Sequence, residues 1–245
     1  NGVNFSEIEE AMALGVKINL DSLESIIDFS KAYPNETVSV RINPGVKAGG
    51  NENISVGHID SKFGITEESI DKIVKMDEEK KIKVTTLHIH TGSDVIENNH
   101  FELGIKKIFV IAHKFKNIET IDLGGGIKIP YFFGDTETDL NKYAEVINEE
   151  VKKFKLAKGK ELKIIFEPGK FLVSDSGYFI TKVNYVKKSS KNTFVQINSG
   201  FNHFVRPTLY KSYHEIVNLS NPKDKKFDYS VVGYICEKDT FAENR

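Results

Sequence analysis

Three short polar segments, each directly after an apolar run, hold residues whose types are suited to chemistry. They are "HTGS" (90–93), "GGG" (124–126) and "EPGK" (167–170). A glycine-rich turn after a strand exposes backbone N–H groups that can cradle a phosphate. The alternative is a tight turn packed beneath another loop, because glycine tolerates conformations that other residues avoid. The residues alone leave both interpretations open, although the absence of GxGxxG and GK[ST] patterns argues against a dinucleotide or Walker site.

The two charged or titratable side chains of these segments also have two interpretations each. His90 lies two residues from His88 on one strand, so both point to the same face, either as a metal pair or as packed and hydrogen-bonded side chains. Glu167 follows the apolar run "KIIF", and a carboxylate there needs a partner. That partner is either a lysine, in a salt bridge that only stabilises the fold, or a group that binds at a functional site.

Rare residue types indicate further candidates. Cys236 is the only cysteine and precedes Glu237, so it is either a small buried apolar residue or a catalytic thiol. A single cysteine excludes an internal disulfide, which fits a reducing compartment. The chain uses lysine almost throughout, and arginine occurs only at Arg41, Arg206 and Arg245. An arginine in such a chain suggests a need for a planar, bidentate donor.

Composition narrows the class of protein. The 245 residues are 39% hydrophobic, and 34 basic residues nearly balance 35 acidic ones, for a formal net charge of −1. This balance argues against a nucleic-acid or membrane-surface role. No run reaches the roughly 18 apolar residues of a spanning helix, and the start has no signal-peptide pattern. We therefore expect a soluble, cytoplasmic protein.

Strands and helices alternate along the chain up to about residue 170. Apolar patterns predict strands over 16–20, 37–44, 83–92, 120–126 and 162–169. Helices are predicted before and between them, over 6–15, 22–33, 66–79, 98–115 and 138–154, the first capped by a Ser6–Glu9 capping box. A long polar loop is predicted over 45–64. This alternation indicates βα units around a parallel sheet, in which sites gather at the carboxyl ends of the strands.

The character of the chain changes after residue 174. Strands are predicted in "GYFITKVNYVKKS", "NTFVQINSG" and "DYSVVGYIC", with lysine-rich turns and little helix between them. We predict an α/β domain over 1–174 and a separate β domain over 175–245.

Five segments in a fixed order resemble one family. They are "HIHTGSD", "IDLGGGIKIPY", "EPGKFLVSDSGYF", "INSGFNHFVRPTLYKSYHEI" and "VVGYICEKDTFAENR". The chain is similar over essentially its whole length to diaminopimelate decarboxylases, pyridoxal-phosphate enzymes related to ornithine decarboxylase and alanine racemase. The resemblance implies a (β/α)8 barrel, here N-terminally incomplete, followed by an incomplete C-terminal β domain.

The resemblance also implies roles for individual residues. His90 would stack on the pyridine ring of pyridoxal 5'-phosphate, and Glu167 would pair with the ring nitrogen. Cys236 would donate the proton to the carbanion, and Glu237 would bind the distal amino group of the substrate. Arg206 and Tyr210 would bind a substrate carboxylate. The remaining cofactor-binding residues implied are Ser93, Gly124, Gly125, Gly126, Pro168, Gly169 and Lys170. No metal is implied.

The implied activity is decarboxylation of meso-diaminopimelate to L-lysine, the last step of lysine biosynthesis. In the family, the cysteine and glutamate reach the cofactor of the partner subunit across a homodimer interface. Lys170 stands where the family usually has arginine, which keeps the charge and loses the planar fork. The short motif that carries the cofactor-binding lysine has no match, so we expect an internal fragment that is inactive alone.

Two alternatives remain open at this point. One is a sister decarboxylase acting on another basic amino acid or a carboxylated polyamine. The other is a catalytically inactive homologue that works as a binding or regulatory subunit, an interpretation motivated by the missing lysine.

Overall fold

A five-stranded parallel sheet forms the centre of the first part of the chain. The computed structural model describes residues 2–46, 57, 61–93, 98–223, 225 and 227–245, so most of the loop predicted over 45–64 lies outside the described residues. The strands are β1 (Asn19–Leu20), β2 (Thr37–Ile42), β3 (Lys83–Ile89), β4 (Thr120–Asp122) and β5 (Lys163–Ile165). They pair in the order β1-β2-β3-β4-β5, with every neighbouring pair parallel. The predicted α/β class with a parallel sheet is confirmed.

Helices precede or follow each of these strands. They are α1 (Phe5–Ala13), α2 (Leu23–Ala32), α3 (Glu67–Glu78), α4 (Asn98–Ala112) and α5 (Leu140–Lys158), and the short α6 (Gly169–Val173) follows β5. The Ser22 hydroxyl caps α2 by accepting the Ser25 N–H at 3.1 Å. The predicted capping box of Ser6 and Glu9 is wrong, because the N-cap of α1 is Asn4, two residues before Ser6, and the Asn4 side chain accepts the Ser6 N–H.

The core of this part lies between the strands and the helices. In β2 the side chains alternate, so that Val38, Val40 and Ile42 are buried while Ser39 and Arg41 are half-buried on the other face. Phenylalanines from the helices and their following loops fill the same core, among them Phe29, Phe109 and Phe154. The apolar face of the sheet is thereby covered by helices, and the opposite face keeps its polar side chains.

A second, mixed sheet forms from the later part of the chain. Its strands are β6 (Val183–Lys188), β7 (Thr193–Ile197), β8 (Ser230–Val232) and β9 (Thr240–Ala242), and the short helix α7 (Arg206–Tyr210) lies between β7 and β8 in sequence. The order is β6-β7-β8-β9, with β7 and β8 parallel and the other pairs antiparallel. Three of these strands lie in segments predicted as strands. The three-residue β9 was not predicted, because "TFA" is flanked by charged and polar residues and is not part of a longer apolar run.

The chain divides into two compact units. The first unit comprises Asn1–Ile129 and Glu137–Leu172, and the second comprises Pro130–Thr136 and Val173–Arg245. The domain limits proposed from the sequence, 1–174 and 175–245, stay a prediction. Among the residues that the structure describes, no helix combines the length and the apolar character needed to cross a membrane.

Candidate active site

A cavity of about 170 Å³ opens at the carboxyl ends of β3, β4 and β5 in the first unit. It is lined by His90, Ser93, Gly125, Gly126, Ile127, Glu167, Pro168, Gly169, Lys170 and Phe171. Parallel strands bring their carboxyl ends to one edge of a sheet, so three segments far apart in sequence meet here. The segments expected from the sequence to share an edge do surround a single cavity.

The glycine turn after β4 is packed closely against the loops that follow β3 and β5. A Cβ atom on Gly125 would overlap the carbonyl oxygen of Glu167, and one on Gly126 would overlap that of Gly92. Gly124 and Gly126 also have positive φ angles of 66° and 92°, which side chains disfavour. The turn is therefore tightly packed, and two of its three glycines also line the cavity with bare backbone. The two sequence-based interpretations of the glycines are compatible with each other.

Hydrogen bonds fix the glycine turn and the ring of His90 together. The Asp122 carboxylate accepts the Gly124 N–H at 2.9 Å, and His90 Nδ1 accepts the Gly125 N–H at 3.1 Å. Burial and, to a smaller extent, the charge of Arg41 lower the pKa of His90, so its ring is neutral near pH 7. A neutral imidazole held in one orientation at the cavity wall is suited to stacking on a planar group.

A row of charged and titratable side chains crosses the polar face of the sheet. The strand register pairs Arg41 of β2 with His88 of β3, and His88 with Asp122 of β4. His88 Nε2 lies 3.6 Å from Glu167 Oε2, just after β5. Burial, followed by the nearby charges of Arg41 and His90, lowers the pKa of His88 to about 4. His88 is thus a neutral side chain beside a carboxylate.

The surroundings of Glu167 act on its pKa in two directions. Partial burial raises its pKa first, Asp122 raises it further, and Arg41 acts in the opposite direction. Burial likewise raises the pKa of Asp122, against the effect of its hydrogen bond to Gly124. The ionisable side chain that the structure places beside Glu167 is His88, with 3.6 Å between Nε2 and Oε2. The lysine salt bridge considered for this carboxylate stays a prediction.

The same row has a geometry open to a metal ion. One ligand atom each from His88, Asp122 and Glu167 lies within 4.8 Å of the others. The sequence indicated no third metal ligand near His88, whereas the structure places two carboxylates, those of Asp122 and Glu167, beside it. The sequence-based expectation of no metal stays a prediction.

The remaining predicted residues belong to the second unit. The Arg206 guanidinium of α7 contacts two hydroxyl groups, Tyr131 OH at 3.2 Å and Ser212 Oγ at 3.4 Å, and lies over the Tyr131 ring. Tyr210 ends the same short helix and is half-buried. Arg206 and Tyr210 are thus presented by one element.

Cys236 and Glu237 lie in the turn between β8 and β9, and both are exposed. The interpretation of Cys236 as a buried apolar residue is therefore wrong. The turn is held by the buried Asp239 carboxylate, which accepts the Phe201 N–H at 2.7 Å and the Ile235 N–H at 3.2 Å. This arrangement fixes the backbone of the turn while its tip remains accessible.

Sequence reasoning did not identify two members of the polar row. The sequence pattern predicts Asp122 only as part of a strand end, and no pattern distinguishes Asn19, which contacts His88 at 2.9 Å. The signal lies in the pairing of Asn19 with Ser39 and of His88 with Asp122 across strands. Such pairs become visible only when the register of a parallel sheet is known.

The lining of the cavity indicates the kind of molecule it suits. Bare backbone around the glycines can bind an anionic group, as glycine-rich turns commonly do. The neutral ring of His90 and the carboxylate of Glu167 suit a planar ring that carries a basic nitrogen. The residues present therefore fit a phosphorylated, nitrogen-containing aromatic cofactor.

Comparison with known proteins agrees with this chemistry. Residues 2–174 match the family described as "Pyridoxal-dependent decarboxylase, pyridoxal binding domain", and residues 109–245 match "Pyridoxal-dependent decarboxylase, C-terminal sheet domain". The chain is 33% identical to the diaminopimelate decarboxylase of Methanothermobacter thermautotrophicus, over 100% of this chain and 59% of that protein.

Solved structures give the same result for the fold. A crystal structure of diaminopimelate decarboxylase matches with a TM-score of 0.89 and 26% identity, covering 99% of this chain and 59% of that one. The Helicobacter pylori diaminopimelate decarboxylase complexed with L-lysine matches with a TM-score of 0.86 and 29% identity, covering 100% and 62%. The predicted relation to the barrel fold of these decarboxylases is confirmed.

These comparisons also give the extent of the match. The chain spans about 59% of the length of a relative that it matches from end to end. Both family descriptions nevertheless apply, one to each major part of the sequence. The chain belongs to the pyridoxal-dependent decarboxylase family, whose cofactor is pyridoxal 5'-phosphate.

Proposed function

We propose that the protein containing this chain decarboxylates meso-diaminopimelate to L-lysine with pyridoxal 5'-phosphate. The observation that carries the proposal is the meeting of His90, Gly125, Gly126 and Glu167 around one cavity. The choice of substrate is supported by the relatives named diaminopimelate decarboxylase that match along the whole chain. It is also supported by the L-lysine in the related Helicobacter pylori structure.

The cofactor residues have separable roles in this proposal. Ser93 and the Gly126 N–H bind the phosphate, assisted by the backbone of Pro168 and Gly169 and by Lys170. Gly124 and Gly125, whose N–H groups donate to Asp122 and His90, give the turn the shape that admits the phosphate. His90 orients the pyridine ring by stacking, since its own ring is held by the Gly125 N–H. Glu167 holds a proton at the ring nitrogen. When bound, the cofactor supplies an electron sink for the pair left by the departing carboxylate.

The substrate residues come from the second unit. The Arg206 guanidinium donates to the hydroxyl groups of Tyr131 and Ser212 rather than to a carboxylate, so its charge is available for a carboxylate of the substrate. Tyr210 assists it, and Glu237 binds the distal ammonium group. Cys236 donates a proton to the substrate carbon that has lost carbon dioxide.

We further propose a cytoplasmic homodimer in which each active site is shared. The exposed turn that carries Cys236 and Glu237 supports this assembly, because an accessible tip can enter the site of a partner subunit. The backbone hydrogen bonds of Asp239 would keep the turn in one conformation on entry.

The direct test is an assay of the purified protein with meso-diaminopimelate. We expect L-lysine and carbon dioxide in equal amounts, and much slower reaction with L-lysine, L-ornithine or L-arginine as substrate. Glu167→Gln is expected to reduce turnover on the order of 10²-fold while the cofactor still binds, because the ring nitrogen loses an anionic partner. Glu145→Gln, at an exposed position on α5, is the matched control.

Two results would contradict the proposal. Absence of lysine with the cofactor bound would exclude this substrate. Near-normal turnover of Glu167→Gln would remove Glu167 from the mechanism.

A further inference from the structure

A chain of side-chain contacts leads from β2 through β1 to the middle of the polar row. Ser39 Oγ lies 3.0 Å from Asn19 Oδ1, and Asn19 Nδ2 lies 2.9 Å from His88 Nδ1. The register places Asn19 opposite Ser39 on neighbouring parallel strands, so the backbone itself sets the first of these contacts. On the other side of the His88 ring this series of contacts continues to Glu167, whose Oε2 lies 3.6 Å from His88 Nε2.

The direction of these hydrogen bonds determines where the His88 proton lies. An amide nitrogen can only donate, so with Asn19 Nδ2 toward His88 the Nδ1 atom must accept. A neutral ring then carries its proton on Nε2, which faces Glu167. The reverse direction would turn a lone pair of His88 toward a carboxylate oxygen, and two acceptors would then face each other.

The environment of His88 keeps its ring neutral and its Nε2 without another partner. The side chain is 7% exposed, Arg41 lies beside it in register, and burial is the main cause of its lowered pKa. His88 Nε2 is buried and has no hydrogen-bond partner among the described residues. A buried donor without a partner is unfavourable, which favours a small approach of the Glu167 carboxylate from 3.6 Å to hydrogen-bond distance.

We infer that His88 is a positioning residue, which Asn19 holds as the Nε2–H tautomer so that it donates to Glu167 and favours its anion. The inference rests on the proposed function only in that Glu167 is taken to face the cofactor nitrogen. The donated hydrogen bond fixes the carboxylate in one orientation. It also counteracts the burial and the Asp122 charge that disfavour the anion.

The groups that face Glu167 come from several elements. Arg41 of β2 favours the anion and is itself influenced by Asp21, while Asp122 of β4 opposes it. His88 of β3 and His90, directly after that strand, are both neutral near pH 7 and so act through hydrogen bonding or packing rather than charge. The contribution of His88 is therefore separable from the charge effects.

The first test needs no bound cofactor. Selective nitrogen-15 labelling of histidine in the protein reports by NMR which ring nitrogen of His88 carries the proton. We expect the Nε2–H tautomer from pH 6 to pH 8, and Asn19→Leu should allow the other tautomer to appear. A wild-type His88 that is protonated on Nδ1 would overturn the inference. A His88 signal that moves when a chelator removes divalent metal would also overturn it, in favour of a metal site.

The second test compares variants at His88. His88→Leu removes the donor, and His88→Gln retains an amide donor at a similar reach. By carboxylate carbon-13 NMR, we expect the Glu167 titration midpoint to rise by roughly one pH unit in His88→Leu and to return toward wild type in His88→Gln. The dissociation constant of pyridoxal 5'-phosphate should rise several-fold in His88→Leu only. An unchanged midpoint in His88→Leu would overturn the inference.

Controls separate this inference from the proposed function. His113→Leu, outside the cavity on the first unit, should leave the Glu167 midpoint unchanged. If meso-diaminopimelate is not decarboxylated, the tautomer and the midpoint still test the role of His88. If it is decarboxylated and the tautomer is Nδ1–H, only the role of His88 fails.

Discussion

The two units of the chain differ in how completely they bury their apolar side chains. In the first unit, helices cover one face of the sheet, and Phe29, Phe109 and Phe154 are at most 1% exposed. In the second unit, the buried apolar side chains among the described residues are Ile197, Pro207, Phe241 and Ala242. All six residues of β6 are exposed. The contrast shows that a sheet supplied with helices closes its own core, whereas a small sheet with few helices leaves apolar surface for other contacts.

The largest expected effect comes from a cavity in the core of the first unit. Phe109→Ala should reduce the free energy of unfolding by about 3–5 kcal/mol, because a fully buried ring is lost and the site cannot collapse completely. Urea unfolding followed by circular dichroism measures this difference. A loss below about 1 kcal/mol would mean that the first unit is not tightly packed, and the contrast between the units would fail.

In the second unit, a substitution at Cys236 is expected to lower turnover strongly while changing the free energy of unfolding little. Cys236→Ala should reduce turnover by about 10²-fold or more if the thiol donates a proton, since positioned acids typically contribute that much. Because the side chain is exposed, the unfolding free energy should change by less than about 0.5 kcal/mol. Steady-state kinetics and denaturation on the same preparation distinguish these effects. Unchanged turnover would exclude Cys236 from the mechanism.

The units should also respond differently to pH. His88 has a folded-state pKa of about 4 against an ordinary value of 6.5, so the unfolded chain binds more protons between these values. The first unit should therefore lose about 2 kcal/mol of stability as the pH falls from 7 to 5. Asp122 and Glu167, whose pKa values are raised, act in the opposite direction at the acidic end.

Hydrogen exchange with mass spectrometry can follow both units in one sample. Peptides from β3 and β4 should lose protection at pH 5 after correction for the intrinsic exchange rate. In His88→Gln this loss should be smaller, because the titrating ring is absent. Equal protection in wild type at both pH values would contradict the assignment of His88 as a buried, neutral side chain.

The smallest effect is expected on the exposed strand of the second sheet. Tyr185→Ser on β6 removes a ring that is 72% exposed, so the unfolding free energy should change by less than about 0.5 kcal/mol. Tyr143→Ser on α5, whose ring is buried against Phe101, is the contrasting variant in the first unit and should cost several times more. A loss at Tyr185 as large as that at Tyr143 would show that β6 is covered in the native protein.

Sequence patterns predicted the parts of this molecule that depend on local periodicity. The alternation of apolar positions indicated β1 to β5 and their helices, and it also indicated that 90–93, 124–126 and 167–170 share an edge. The cap at Asn4 was missed because Ser6 and Glu9 satisfy a common capping pattern two positions after the real N-cap. The short β9 was missed because its three residues stand among charged and polar neighbours, whereas the equally short β4, β5 and β8 lie in longer apolar runs.

The contacts around His88 could not be predicted in the same way. Asn19, His88 and Glu167 are brought together by the register of four neighbouring strand pairs, and a sequence pattern contains no register. The exposure of Cys236 was likewise not predictable, since it depends on the turn held by Asp239. The sequence indicated which side chains could do chemistry, but the residues that contact them were known only from the structure.

The polar row also sets an order of events during synthesis of the protein. Its members come from β1 to β4 and from the segment after β5, so the row is completed only when the last of these strands has left the ribosome and paired. At bacterial or eukaryotic elongation rates, the interval between Asn19 and Glu167 is on the order of ten seconds. During that interval the edges of β2, β3 and β4 are open to wrong pairing. The contact of His88 with Glu167 can therefore form only after the segment that follows β5 has been synthesised.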